Sequence, residues 1–340
     1  MQSILFISFL ITVFIANSIF KKKKIFSNHS GEIHQTLTGK SNVPLSGGIF
    51  ILLFMLTLLL ENYSNFTFFL VSIFLLGFLS DIKILTSPKI RFIIQIILLI
   101  IFVYFAELYI LSTRIIFFDE LLKNSIASLL FTSFCLIVLI NGTNFIDGLN
   151  GLVLGYYLSI ALILLNLGLL ENLALNYHLI IYLIVFLTFL FLLNIFNQLY
   201  LGDSGSYLLS FIAGVVLIKI YNENQNISPF FIVLLLWYPA FENLFSILRK
   251  FKFKLSPVLP DTQHLHQLIF IFIKKKTSYK KITNSLSGFI IIFYNTAILS
   301  IASLDIQNTQ YQISLIIFNL VLYIMIYSKI ILFLKLSPKI

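Results

Sequence analysis

The chain has 340 residues, of which 59% are hydrophobic and 11% are charged, and its mean hydropathy is +1.01. A soluble domain carries about 25% charged residues, so this composition excludes an ordinary cytosolic enzyme and a disordered chain. The net charge of +10 is compatible with nucleic acid, anionic lipid or an anionic substrate. Cys135 is the only cysteine, which excludes a disulfide framework and a cysteine-rich metal site.

Long apolar runs recur along the whole chain, and they are continuous rather than alternating, which favours spanning helices over barrel strands. We count about eleven, with ten as the alternative because three runs are short. They are residues 2–20, 48–61, 66–80, 92–112, 125–140, 151–170, 177–196, 207–221, 229–247, 286–302 and 312–333. The sequence therefore predicts an all-α, polytopic integral membrane protein with a single domain over residues 1–340.

The distribution of basic residues predicts the orientation. The first apolar run has no basic segment before it, and Lys21–Lys24 follow it, so we expect a span rather than a cleavable signal. With the N-terminus outside and the C-terminus cytoplasmic, 20 of the 23 Lys and Arg residues fall on the cytoplasmic side. The basic excess is therefore mostly a topology signal, with attraction of anionic headgroups or nucleotides as the alternative. The predicted cytoplasmic loops are 21–47, 81–91, 141–150, 197–206 and 248–285.

Polar residues that could carry chemistry gather on this predicted cytoplasmic side. The densest element is Asn141–Leu152, in which Asn141, Asn144, Asp147 and Gly151 would share one stripe if the segment is helical. A polar turn between two spans is the alternative, since Asn-Gly and Asp-Gly are common turn dipeptides. The segment Leu201–Ser206 precedes an apolar run, where Asp203 and Ser204 could cap a helix. Alternatively, the glycine-rich helix N-terminus could bind a phosphate while Asp203 holds Mg²⁺.

Further polar segments lie on the same predicted side. The segment Gly77–Lys83 contains Asp81, and Ser256–His266 contains two alternating histidines with no cysteine to complete a zinc set. Histidines among basic residues fit a phosphate contact better. Val43–Gly48 opens the second apolar run.

Together and in this order, these elements resemble the polyprenyl-phosphate N-acetylhexosamine-1-phosphate transferases. The matching residues are His34, Lys40, Pro44–Gly48, Gly77–Asp81, Ser87–Arg91, Gln95, Asn141–Leu152, Leu201–Ser206, Pro239, Arg249, Ser256–Pro257, Asp261 and His264–His266. The resemblance covers about residues 34–267. One such motif is weak, whereas five in order on one predicted side are specific.

The resemblance implies a bacterial inner-membrane enzyme with its active site on the cytoplasmic face. It would transfer N-acetylhexosamine-1-phosphate from a UDP-sugar to undecaprenyl phosphate and release UMP. The family requires Mg²⁺, with Mn²⁺ as an alternative, and it allows a homodimer. The histidine segment favours an O-antigen-like or other surface-polysaccharide pathway over peptidoglycan. Nucleic acid is not an expected partner, because the Lys clusters follow topology rather than base-stacking aromatics.

The resemblance also implies residue roles. Asp203 would be the main Mg²⁺ ligand with help from Asn144, Asp81 would belong to an acidic pair near the metal, and Asp147 would lie in the nucleotide-sugar site. Substrate contacts are expected from Asn141, Asn144, His264, His266, Lys40 and Arg249.

Two positions depart from the family pattern. Ser80 stands where the acidic pair has its first Asp, and Gln267 stands where the histidine run has another His. A phosphate monoester has a second pKa of about 6, so the lipid phosphate is largely dianionic without a protein base. These departures suggest one alternative, an inactive scaffold with the family's fold. A transporter is the other alternative for a chain of this composition. The transporter is disfavoured because the predicted spans are almost free of charge, Glu107 and Glu242 lying near predicted ends.

Overall fold

The computed structural model describes residues 2–27, 43–59, 64–170, 177–252, 254, 263–277 and 282–334. These residues form helices and no strand, with isolated bridges joining Ser27 to Pro44 and Leu45 to Tyr200. The helices are α1 (Gln2–Lys23), α2 (Gly47–Leu59), α3 (Ser64–Asp81), α4 (Pro88–Ala106), α5 (Ile116–Leu122), α6 (Ser125–Ile146), α7 (Leu152–Asn166), α8 (Tyr177–Ile195), α9 (Gly202–Glu223), α10 (Pro229–Leu235), α11 (Trp237–Lys252), α12 (Leu265–Lys276), α13 (Thr283–Ala302) and α14 (Thr309–Leu334). The all-α prediction is confirmed.

Seven of the described helices are long and apolar enough to cross a membrane, or eight if the bent pair α10 and α11 forms one span. The shorter apolar helices α2, α3 and α7 overlap the other predicted runs. Each predicted apolar run therefore overlaps a helix or the bent pair. The chain is a polytopic membrane protein, while the count of eleven spans and the orientation stay predictions.

The loops at one end of the bundle meet one another, and so do those at the other end. At the first end, which we call the site end, residues of α3, α4, α6 and α9 surround Asp203. At the opposite end, Arg114 donates to the backbone carbonyls of 225–227 and of Gln307, and to Thr309 Oγ1. Helices that alternate between these two ends fit the predicted alternation of loops.

Glycines allow the helices to approach closely at the site end. A Cβ at Gly77 of α3 would lie 2.5 Å from Ser204 Cα, and one at Gly48 of α2 would lie 2.6 Å from the Gly205 nitrogen. Both distances are shorter than any real Cβ contact, so only glycine permits this backbone approach. The first turn of α9 is therefore clamped between α2 and α3.

The bend between α10 and α11 has a local cause. The two helices meet at 76° with Leu236 between them. Pro239 has no N–H to donate to the carbonyl four residues earlier, and its ring clashes with that carbonyl. The orphaned acceptor is Leu235 O, to which Tyr156 Oη donates over 2.8 Å. A side chain from α7 thus replaces the backbone hydrogen bond that proline removes.

Candidate functional site

The carboxylate of Asp203 joins three helices to the start of α9. Its Oδ2 accepts from Ser80 Oγ at 2.6 Å and lies 2.5 Å from Arg91 Nη1, while its Oδ1 accepts from Asn144 Nδ2 at 2.7 Å. The Arg91–Asp203 pair is partly exposed, with 20% and 27% of the side chains accessible. The predicted metal residues Asp203 and Asn144 are therefore in direct contact at the site end.

Asp81 caps the first turn of α9. Its carboxylate accepts from the backbone N–H groups of Asp203 at 2.8 Å and Ser204 at 3.1 Å, and from Ser204 Oγ at 2.6 Å. Gly202 has a φ of +71°, and a Cβ there would lie 2.6 Å from Asp81 Oδ2. The expectation that Asp203 or Ser204 caps this helix is wrong, because Asp81 caps it. The backbone amides of residues 203 and 204 are not available to a phosphate either, because both donate to the Asp81 carboxylate.

The element Asn141–Leu152 is partly helix and partly turn. Helix α6 ends at Ile146, so Asn141 and Asn144 share a helical face, whereas Asp147 and Gly151 lie beyond the helix. Asn141 Nδ2 donates to the buried Gln95 Oε1 at 3.0 Å. The predicted continuous stripe is wrong at its second half, because the backbone turns after Ile146.

Asp147 lies in the same electrostatic environment as the other two acids. Burial, followed by the carboxylates of Asp203 and Asp81, raises the pKa of Asp147 from 3.8 to about 8. Its side chain is a partly exposed group directly after α6. The three predicted catalytic acids, Asp81, Asp147 and Asp203, are therefore close enough to affect one another's ionisation, and Asp147 stays protonated at neutral pH.

The residues that follow Ile146 in the Asn141–Leu152 element make hydrogen bonds that hold the chain in its fold. Asn150 Nδ2 donates to Asn197 Oδ1 at 2.9 Å, and the backbone N–H of Asn150 donates to Asn284 Oδ1 at 2.7 Å. The Gly151 N–H donates to Asn194 Oδ1, and Gly151 takes a φ of +78°. These bonds fix the α6–α7 turn against the loop that leads into α9.

The predicted segment Val43–Gly48 also helps to position the start of α9. The Tyr200 N–H donates to Pro44 O at 2.9 Å, and the Gly47 N–H donates to Tyr200 O at 3.0 Å. Residues 44–47 therefore pair with the backbone just before Gly202 and help to set where α9 begins.

The two histidines lie beside the end of α6. Their rings stack with centroids 5.5 Å apart, and the ring of His264 lies 5.3 Å from that of Phe145. His264 Nδ1 is 3.0 Å from Glu242 Oε2, and Glu242 Oε1 accepts from the Leu265 N–H at 3.0 Å. A Cβ at Gly148 would lie 2.9 Å from His266 Nε2. The end of α6 therefore contacts both the Asp203 cluster and the histidines.

The predicted anion contact Arg249 lies between two helices. Arg249 is buried, and its Nη1 donates to Gln263 O at 2.6 Å and to Tyr327 Oη at 2.5 Å. These bonds tie α11 to α14, and a contact with substrate stays a prediction. Lys40, together with His34 and Asp261, lies outside the described residues.

Both departures from the family pattern make hydrogen bonds. Ser80 Oγ contacts Asp203 and accepts from Arg91 Nη1. Gln267 is buried, and its Oε1 accepts from the His264 N–H at 3.4 Å, which helps to cap α12. Ser80 thus supports Asp203, and Gln267 supports His264.

The donor set fits a hard divalent cation. Mg²⁺ takes oxygen ligands and is usually bound through one or two carboxylates plus substrate phosphates and water. Asp203 and Asn144 supply a carboxylate and an amide in direct contact. Within the described part of the chain, no three of the His, Cys, Asp and Glu side chains are grouped to hold a metal alone. A metal here would therefore need ligands from substrate and water.

The sequence motifs assign no role to three residues that make these contacts. Arg91 and Gln95 lie in matching segments, and Glu242 is a charge near a predicted span end. The signal for Arg91 was a cation one turn inside an apolar helix, and for Glu242 an acid in an apolar run. Only the packing of separate helices shows their partners.

Comparisons with known proteins agree on one family. Residues 63–221 match the family model described as glycosyl transferase family 4. A decaprenyl-phosphate N-acetylglucosaminephosphotransferase of Mycolicibacterium smegmatis is 29% identical over 164 residues, which are 42% of this chain and 40% of that protein. An undecaprenyl-phosphate alpha-N-acetylglucosaminyl 1-phosphate transferase of Thermotoga maritima is 27% identical over 277 residues, 81% of each chain. A probable undecaprenyl-phosphate N-acetylglucosaminyl 1-phosphate transferase of Bacillus subtilis is 26% identical over 198 residues, 56% of this chain and 51% of that protein. The matches with the first and third relatives span about half or less of their length.

Proposed function

We propose that this chain, whose residues 63–221 match the glycosyl transferase family 4 model, is a member of that family and transfers N-acetylhexosamine-1-phosphate from a UDP-sugar to undecaprenyl phosphate. The products are undecaprenyl-diphospho-sugar and UMP, and the product starts a lipid-linked, O-antigen-like polysaccharide. The proposed location is the bacterial inner membrane, with the site end in the cytoplasm. The relatives named above act on decaprenyl or undecaprenyl phosphate, which supports the choice of acceptor.

One observation carries the proposal. Asp203 is bonded to Ser80, Arg91 and Asn144 from three different helices, beside Asp81 and Asp147, at one end of an apolar bundle. A polyprenyl chain needs a bilayer, whereas its phosphate and a UDP-sugar need a polar surface at the bilayer edge. A polar cluster at the end of apolar helices meets both needs.

The reaction needs positioning and charge neutralisation more than proton transfer. An oxygen of the lipid phosphate forms a bond to the sugar-bearing phosphorus, and the bond from that phosphorus to the bridging oxygen of UMP breaks. UMP leaves with the electron pair. Since the attacking phosphate is largely dianionic at neutral pH, no side chain has to take a proton from it.

The chain's own residues bind and orient the charged groups. We assign the diphosphate to His264 and His266, and the nucleotide-sugar to Asp147 and Asn141. Glu242 accepts from His264 Nδ1 and thereby fixes the ring that would meet the diphosphate. Lys40 and Arg249 are proposed as further anion contacts.

Mg²⁺, or Mn²⁺ in its place, would be held by Asp203 and Asn144. When bound, it would offset the negative charge of the diphosphate. The proposed arrangement is compatible with a monomer or a homodimer.

The proposal is tested by UMP release from purified protein in detergent, given undecaprenyl phosphate, MgCl₂ and a panel of UDP-N-acetylhexosamines. We expect release that requires the lipid phosphate, the divalent cation and one or more donors. EDTA should abolish it, and MnCl₂ should restore it.

A second candidate is a scaffold without catalysis, which Ser80 and Gln267 favour as departures from the family pattern. No release with any donor from folded protein would overturn the enzyme proposal. Activity that appears only in the variants Ser80→Asp or Gln267→His would support the scaffold.

A further inference from the structure

Ser80 lies where two charged side chains meet. Its Oγ is 2.6 Å from Asp203 Oδ2, and Arg91 Nη1 donates to the same Oγ and also lies 2.5 Å from Asp203 Oδ2. A serine hydroxyl has one donor and two acceptor lone pairs, so it can donate to the carboxylate and accept from the guanidinium at once. Alanine lacks both capacities, and an ionised carboxylate cannot donate.

This bridge determines which edge of Asp203 remains for a cation. Ser80 and Arg91 both occupy Oδ2, while Oδ1 accepts a hydrogen bond from Asn144 Nδ2 at 2.7 Å and has a second lone pair for a cation. Hydrogen bonds to a ligating carboxylate fix its orientation and tune its affinity for the metal. The neutral hydroxyl does this without adding charge beside Arg91 or the three acids.

We propose that Ser80 is a positioning residue for a divalent cation at Asp203: it holds Oδ2 to Arg91 and leaves the Oδ1 edge, beside Asn144, for the ion. This inference rests on the metal site of the proposed function. It assigns to a residue of this chain a role that the family pattern gives no reason to expect from serine.

The first measurement is Mn²⁺ binding to purified protein in detergent, followed by electron paramagnetic resonance. Ser80→Ala should weaken Mn²⁺ binding about tenfold, as expected when a hydrogen bond to a metal ligand is lost. Ser80→Thr should keep wild-type affinity, and Ser80→Val, which has the shape of threonine without its hydroxyl, should match Ser80→Ala. This pair isolates the hydroxyl from changes in volume or folding.

The matched control is Ser72→Ala, two turns earlier on α3. Ser72 Oγ donates only to Phe68 O of its own helix. This variant should bind Mn²⁺ like the wild type. Equal affinity of Ser80→Val and Ser80→Thr would overturn the proposal.

Transfer kinetics give a second readout. Because Ser80 acts through the cation, raising MgCl₂ about tenfold should restore kcat in Ser80→Ala, and KM for the UDP-sugar at saturating Mg²⁺ should stay unchanged. A kcat loss that saturating Mg²⁺ does not restore would contradict the proposal and make Ser80 part of the reaction itself.

The two proposals fail in different ways. Mn²⁺ binding without any sugar-phosphate transfer would contradict the proposed function, while the Thr and Val variants still decide the role of Ser80. Transfer without measurable Mn²⁺ binding would overturn the role of Ser80 and leave the transfer activity standing.

Discussion

A single carboxylate, that of Asp203, connects α3, α4 and α6 to α9, so its charge affects both geometry and chemistry. Asp203→Asn keeps the volume and removes the charge that would hold Mg²⁺. We expect UMP release to fall by about 100-fold or more, the range seen when one electrostatic group of an active site is removed.

The matched control for this prediction is Asp119→Asn at the opposite end, where Asp119 accepts from Ser112 and Thr113. It should leave the transfer rate unchanged. Thermal unfolding in detergent checks that both variants are folded. Near-wild-type turnover in folded Asp203→Asn would remove Asp203 from the metal site.

The raised pKa of Asp147 predicts that the stability of the protein depends on pH. Burial and the Asp203 and Asp81 carboxylates raise its pKa from 3.8 to about 8. Below pH 3.8 both folded and unfolded states bind the proton, so there is no penalty. Between pH 3.8 and 8 the unfolded state ionises while the folded state stays protonated, so the free energy of unfolding falls as pH rises through this window.

Asp147→Asn removes this penalty. In metal-free protein, we expect the variant to raise Tm more at pH 8 than at pH 5, as measured by thermal unfolding in detergent. The control Asp305→Asn changes an exposed acid at the opposite end and should shift Tm little at either pH. An equal gain at both pH values would contradict the raised pKa.

At the scale of helices, close backbone contact at α9 makes particular glycines irreplaceable. In Gly77→Ala the new methyl would meet the Ser204 backbone at 2.5 Å, and neither helix can move without disturbing Asp81 and Asp203. Overpacking of this kind costs about 1–3 kcal/mol. We expect a lower Tm and weaker transfer, because the displaced α9 carries Asp203.

The matched control is Gly214→Ala, which lies on α9 about three helical turns after Ser204. Its Cβ would meet only the ends of the Leu136 and Leu139 side chains, which can rotate. Activity and Tm close to wild type are expected. A similar loss in both variants would show that α9 tolerates no added volume anywhere.

At the scale of the whole molecule, the polar loops lie at the two ends of the helix bundle. The predicted orientation places the site end in the cytoplasm. In a Cys135→Ser background, Lys22→Cys at the site end and Asp305→Cys at the opposite end place one exposed thiol on each side. A membrane-impermeant maleimide added to intact cells should label Cys at 305 and not at 22.

Inverted vesicles should give the reverse pattern. Labelling of the thiol at position 22 in intact cells would reverse the orientation and place the acidic cluster outside. Transfer activity in both variants confirms that they are folded.

Composition and the long apolar runs alone predict the class of protein and the positions of the long apolar helices, because a bilayer demands long apolar segments whatever their neighbours. The motif order also predicted that Asp81, Asn144, Asp147 and Asp203 lie on the same side of the helices. These are local or one-dimensional properties of the chain.

Tertiary packing decided the rest. That Asp81 caps α9 and that Arg249 bonds to Tyr327 depends on which helices meet. The α6 stripe ended at Ile146 because Asn194 and Asn197, some 45 residues later, hold the turn that follows it. The partners of Ser80 come from α4 and α9, and no periodicity within α3 encodes them. Contacts between distant segments arise only when the helices pack, so the roles of these residues became visible only in the folded chain.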